Sequence, residues 1–201
     1  MNPSLLLIII GFLYVLFFGG LSWLRREGLS LQFAIEAIVI ILFSTGLANL
    51  LNVTINPVLF LFVLYLITAR VRLLVDLAVL FAKRGNLTIA ESICRFAHSI
   101  FPDPTTRFII AINEGVISVQ KNQLDEAIQI FSNVLKQKDE GSLGINHEAA
   151  CYYNLGIAYQ RKGLEAKAQS AFETVLDIMP ASPYAIAALK RKSNPQKTNQ
   201  N

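Results

Sequence analysis

The sequence predicts an all-α protein in which N-terminal transmembrane helices lead into three repeated helix pairs and a C-terminal capping helix. Three observations point there. Long apolar runs fill the chain before residue 82. One spacing of small, aromatic and proline residues recurs three times between residues 71 and 182. A last short helical stretch, Pro183–Lys192, follows the final recurrence. Hydrophobic residues make up 53% of the chain and charged residues 16%, and mean hydropathy is +0.46, high for a soluble globule.

The first apolar run, Ser4–Leu24, has 21 residues and no charge. At about 1.5 Å per residue it matches a bilayer core of about 30 Å. Met1-Asn2-Pro3 lacks the basic segment of a signal peptide, so the run is expected to stay as a transmembrane helix, with Trp23 at the interface beside Arg25-Arg26. The second run, Leu29–Val53, contains one carboxylate, Glu36. An intramembrane carboxylate raises a proton or ion site, and the competing expectation is a pair with an arginine near the interface. Asn56-Pro57 reads as an N-cap followed by proline at the first helical position.

The third run, Pro57–Ala69, is short for a full span, and the helical pattern runs on through Arg70 and Arg72. The expectation is one long helix over about 56–84, embedded at its start and emerging at its end. Helices over about 4–24 and 30–52 precede it, so residues 1–70 form the anchor. Arg25-Arg26 and the set Arg70, Arg72, Lys83 and Arg84 fall on one side of three spans, and the positive-inside rule makes that side cytoplasmic. The N-terminus is then expected outside.

The pI near 9.1 invites a nucleic-acid reading. Split by position, residues 1–84 hold 6 Lys/Arg and 3 Asp/Glu, and residues 85–201 hold 12 and 11. The basic excess therefore lies beside the apolar runs and in the tail at Lys190, Arg191, Lys192 and Lys197. A basic groove with interleaved aromatics is absent, which disfavours nucleic-acid binding. Cys94 and Cys151 are far apart on helical patterns, which excludes a CxxC motif and favours buried free thiols.

The repeated pattern is clearest at Tyr152, Leu155, Gly156 and Tyr159, followed by Ala168, Phe172, Val175 and Pro180. Upstream it reads Ala111, Glu114, Gly115, Ser118, Ala127, Phe131 and Val134, with Asp139 where proline would stand. Asp103-Pro104 starts that pair, and Asn122 with Asp125 looks like a capping box for its second helix. The first recurrence is Leu74, Leu77, Ala78, Phe81, Ala90, Cys94, Ala97 and Pro102, with Cys94 in place of the aromatic. These spacings resemble the tetratricopeptide repeat, a helix-turn-helix unit of about 34 residues. The repeats are expected over about 71–102, 104–139 and 146–182, with the capping helix over 183–192 and a disordered tail over 193–201.

Members of that family bind partners through the concave surface formed by the first helix of each pair. The resemblance places Val75, Val79, Ile109, Ile112, Asn113, Val116, Val119, Tyr153, Asn154, Ile157 and Arg161 on it, with Asn113 and Asn154 equivalent. The basic clamp of chaperone-tail receptors is replaced by Val75, Ile112 and Ala150, which favours an apolar or helical peptide ligand. Packing of these side chains on one another or on the C-terminal helix is the competing expectation.

His98 and His147 lack a second metal ligand at helical spacing, and no nucleophile-elbow, phosphate-loop or dinucleotide motif occurs. No catalytic residue, metal or cofactor is therefore expected, and the chain is not read as an enzyme. The resulting expectation is a membrane-anchored scaffold or assembly factor for a protein partner, itself a membrane-complex component. Its repeats would be cytoplasmic, or stromal in a photosynthetic source. Its architecture resembles that of anchored repeat factors for photosystem I assembly. Two alternatives are a docking subunit of a transport or proton-coupled complex using Glu36, Arg70 and Arg72, and homo-oligomerisation through the groove.

Overall fold

The computed structural model describes residues 3–24, 31–137 and 143–193. They form ten helices and, among the described residues, no strand: α1 (Pro3–Leu24), α2 (Leu31–Leu50), α3 (Pro57–Thr68), α4 (Arg70–Lys83), α5 (Leu87–Ser99), α6 (Pro104–Gln120), α7 (Leu124–Lys136), α8 (Ile145–Arg161), α9 (Glu165–Ile178) and α10 (Pro183–Ser193). Arg25 and Arg26, Asp139 and residues 194–201 of the expected disordered tail lie outside the described residues. The chain divides into two compact units, Met1–Leu73 and Leu74–Asn201.

In the first unit α1, α2 and α3 pack together around Leu7, Tyr14, Ala37, Ile41, Phe60 and Leu64. Gly11 permits a close approach of α1 to α2, because a Cβ there would sit 2.6 Å from the Ile41 side chain. Polar groups are satisfied inside the bundle: the Tyr14 hydroxyl lies 2.6 Å from Thr68 Oγ1, and Thr45 donates to the Ile41 carbonyl. The outward faces carry Phe12, Leu16, Phe17, Leu42, Phe43 and Leu47, all exposed. Pro3–Leu21 and Leu31–Leu50 are long and apolar enough to cross a membrane.

Asn56 caps α3 as expected, its Oδ1 accepting from the Val58 and Leu59 amides ahead of Pro57. The expected continuous helix over 56–84 is instead broken at Ala69, where α3 and α4 bend by 67°. No proline or glycine stands there. Thr68 Oγ1 bonds back to the Leu64 carbonyl, an arrangement that bends helices. Arg70 Nη1 donates to the Ile67 carbonyl at 2.9 Å and so caps the end of α3. Glu36 in turn fixes that guanidinium through two bonds of 2.6 and 2.9 Å, with Gln32 donating to the same carboxylate. The arginine partner expected for Glu36 is Arg70.

The second unit repeats one turn three times. Gly85 (φ 81°), Asn122 (φ 61°) and Gly163 (φ 77°) are left-handed residues after α4, α6 and α8. At each, the next amide bonds five residues back, Asn86 to Phe81, Gln123 to Ser118 and Leu164 to Tyr159, at 2.8–3.0 Å. The left-handed residue itself bonds three residues back, to Ala82, Val119 and Gln160. This is the Schellman ending of a helix. It corrects the capping box expected at Asn122 and Asp125. Asn122 ends α6, and the α7 cap is Gln123 with no side-chain cap bond. Asparagine tolerates the left-handed region, so one residue type fits both readings.

Each pair then closes on a small residue against a large one. A Cβ on Gly115 would lie 2.6 Å from Phe131, and one on Gly156 would lie 2.5 Å from Phe172. The equivalent positions of the first pair are Ala78 and Cys94, both fully buried. By spacing, the first pair has a larger residue in place of the glycine and a smaller one in place of the aromatic, a swap that conserves volume. Helix α10 starts where Ser182 Oγ accepts from the Ala185 amide ahead of Pro183, and it packs on α8 and α9.

Candidate functional site

The first helices of the second and third pairs, α6 and α8, carry most of the positions expected to face a partner. Asp103 caps α6, accepting from the Thr106 amide and hydroxyl, with Pro104 at the first helical position. Adjacent pairs are joined by lysines at the ends of these helices. Lys121 reaches Glu91 on α5 at 2.7 Å, and Lys162 reaches Asp125 on α7. The lysine beside Glu91 holds its carboxyl below the usual range, as expected when the charged form gains a cationic partner. Arg161 Nη1 crosses from α8 to the Val119 carbonyl of α6 at 3.0 Å.

Asn113 and Asn154 have the same local geometry. Each side-chain amide donates to the carbonyl four residues earlier, Ile109 and Ala150 respectively, at 2.8 Å in both cases. That bond fixes the amide plane, and the side-chain oxygen of each accepts no bond among the described residues. Both are half-buried, as are Val79, Ile109 and Val116, while Arg161 is exposed.

Other expected groove residues are spent on packing. Val75, Ile112 and Val119 are buried, the last two in a core with Phe131, Cys151 and Leu155. Tyr153 lies 5.9 Å from Phe172 and 5.7 Å from Tyr184 of α10, ring centre to ring centre. Its hydroxyl accepts from Arg191 Nε at 3.3 Å, and Arg191 Nη1 donates to buried Gln160 at 3.0 Å. Lys192 bonds Glu173 at 2.7 Å. Two residues read as tail charge are thus fasteners of the capping helix. Ile157 packs beneath the same helix. Asn113 and Tyr153 are both half-buried, and α10 packs against Tyr153.

Burial pushes the Cys94 and Cys151 thiols up to about 12, so both are free but poor nucleophiles. No group of three potential metal ligands occurs among the described residues. His98, which has no second metal ligand at helical spacing, stands 3.4 Å from Glu114 of the next pair. They line a separate cleft of about 440 Å³ with Arg107, Phe108, Asn133 and Gln137, which involves none of the expected groove residues. Only the fold brings His98 and Glu114 together, so neither histidine nor glutamate spacing signals it.

Residues 106–181 match the family model described as tetratricopeptide repeat. No curated protein and no solved structure matches the chain. The matched segment takes in the turns at Asn122 and Gly163 and the Gly115–Phe131 and Gly156–Phe172 closures. Residues 106–181 are thus similar to the tetratricopeptide repeat, a fold that typically serves protein–protein interaction.

Proposed function

We propose that this protein is a membrane-anchored scaffold or assembly factor that holds a protein partner on the repeat surface beside the bilayer. Matched amides on Asn113 and Asn154 carry this reading: fixed by identical backbone bonds, each offers an oxygen to the backbone of an extended or helical segment. Half-buried Ile109 and Val116 supply apolar surface beside Asn113 and favour an apolar peptide over an acidic tail. The two long apolar helices support anchoring. Anchoring confines the surface to two dimensions and raises its effective concentration for a membrane-complex component. The basic residues Arg70, Arg72, Lys83 and Arg84 support a cytoplasmic repeat unit.

Bidentate pairing of Glu36 with Arg70 favours a structural role for that carboxylate over a proton-coupled one. The test is affinity capture from crosslinked native membranes, with the wild-type chain set beside the Asn113→Ala/Asn154→Ala double variant. Specific recovery of a membrane-complex component that drops about tenfold in the variant supports the reading, since two lost hydrogen bonds of about 0.5–1.5 kcal/mol each amount to that factor. Undiminished recovery contradicts it.

A further inference from the structure

An α-solenoid needs a polar outer face on its terminal units, and the first helix pair does the opposite. Leu73, Leu77 and Leu80 form one stripe on α4 and are exposed by 37, 41 and 43%. In the later pairs this is the face that packs on the preceding repeat. The positions of Leu73 and Leu80 are taken there by Ile110, Cys151, Ile117 and Ala158, none more than 3% exposed. Leu77 corresponds to Glu114, which reaches back to His98 on α5, and to buried Leu155. Cys151 likewise donates to the Phe131 carbonyl of the preceding pair. The first pair has no predecessor, yet its end face is leucine.

A second difference is independent of the first. On α5, Ile89 and Phe96 are 46 and 57% exposed. Their counterparts are Glu126 and Lys167, and Asn133 and Thr174. The later pairs carry polar residues where the first pair carries apolar ones. On α4 and directly after it the exposed cations are Arg72, Lys83 and Arg84, against exposed Asp76. The chain enters α4 directly from the apolar helix α3, with Ala69 alone between them.

We propose that the first helix pair is itself a membrane-surface element, with the leucine face of α4 seated in the interfacial region of an anionic leaflet. Leucine side chains enter the headgroup–acyl boundary, and the surrounding arginines and lysines meet lipid phosphates, as on an in-plane amphipathic helix. A bilayer is the occupant because the face is apolar, its rim is cationic and it follows the apolar helices in the chain. The lipid takes the place of the missing preceding repeat. This inference rests on the anchoring proposed above and adds a docking surface to it.

The test uses full-length protein in nanodiscs of phosphatidylcholine and phosphatidylglycerol, with nitroxides on Leu77→Cys, Phe43→Cys and Glu126→Cys in separate preparations. Both native cysteines are free but buried, so the new thiol takes the label. Each label is read for collision with oxygen, which concentrates in lipid, and with a neutral nickel chelate, which stays in water. The inference predicts an oxygen-to-nickel ratio at Leu77 several-fold above that at Glu126 and nearer to that at Phe43. A Leu77 ratio equal to that at Glu126, with Phe43 still oxygen-favoured, overturns the surface-seating inference and leaves the anchor intact. Exclusion of both reagents from Leu77 also overturns it, since a second copy of the chain would then cover the face. A nickel-accessible Phe43 overturns the anchor as well.

Discussion

Gly156 and Phe172 close the third helix pair so tightly that a Cβ on the glycine would lie 2.5 Å from the ring. Gly156→Ala gains about 1 kcal/mol of helix propensity. It also forces the aromatic to move, at about 1–3 kcal/mol of overpacking. The expected net result is a lower melting temperature in a thermal scan. Gly156→Ala/Phe172→Cys copies the Ala78 and Cys94 combination of the first pair. A double-mutant cycle is expected to show positive coupling between the two changes, because the smaller side chain makes room for the methyl group.

The turn at Gly163 has no obstructing neighbour, so its glycine is required by φ alone. Gly163→Ala is expected to cost about 1–2 kcal/mol, the penalty for an L-residue in the left-handed region. Asn122→Gly is expected to be close to neutral. If Asn122 were instead an N-cap, as its sequence context suggests, glycine there would also cost little but alanine would cost about 1 kcal/mol through the lost cap. Asn122→Asp distinguishes the two: aspartate equals asparagine at a cap and is worse as a helix-ending residue near the negative end of α6.

Thiol chemistry follows from burial. Reagents are expected to leave Cys94 and Cys151 unmodified in the native protein at pH 8 and to modify both in denaturant. Each thiol rises from 9.0 to about 12 on folding, chiefly by desolvation. The folded state therefore holds these protons more tightly than the unfolded state. Their contribution to stability is complete below pH 9 and is lost as pH rises toward 12. Denaturant midpoints measured across that interval should fall for the wild-type chain and fall less for the Cys94→Ala/Cys151→Ala variant.

Arg70 joins Glu36 to the end of α3, so removing either charge breaks the ion pair and leaves Glu36 with the Gln32 bond and Arg70 with the Ile67 carbonyl. Arg70→Gln is expected to lower stability in nanodiscs by about 1.5–3 kcal/mol, the range for hydrogen bonds to a charged group. The exchange Glu36→Arg/Arg70→Glu should recover part of the loss. Equal melting points for wild type and Arg70→Gln would contradict the structural role.

The repeat architecture was legible because its signals are local: Gly115, Gly156, Phe131 and Phe172 fall at fixed intervals, and Asp103-Pro104 and Asn56-Pro57 mark helix starts by residue type. The break at Ala69 was not legible. It arises from a threonine back-bond and an arginine fastened by a residue on another helix, with no proline or glycine to announce it. Asn122 misled because asparagine serves both as a cap and in the left-handed region. Of the expected groove, the equivalence of Asn113 and Asn154 came from spacing, whereas the contacts of Tyr153 depend on Arg191 and Tyr184, which only the packing of α10 brings near.

The central claim is that a partner is held on the α6–α8 surface at the membrane, and site-specific photocrosslinking tests it most directly. A photoreactive residue replaces Asn113 in the full-length chain in its native membranes, with a second preparation carrying it at exposed Glu126 on α7. The account predicts a discrete crosslink to one membrane-complex component from position 113 and none to that component from position 126. Crosslinks to that component from 126 alone, or no crosslink from 113, would contradict it.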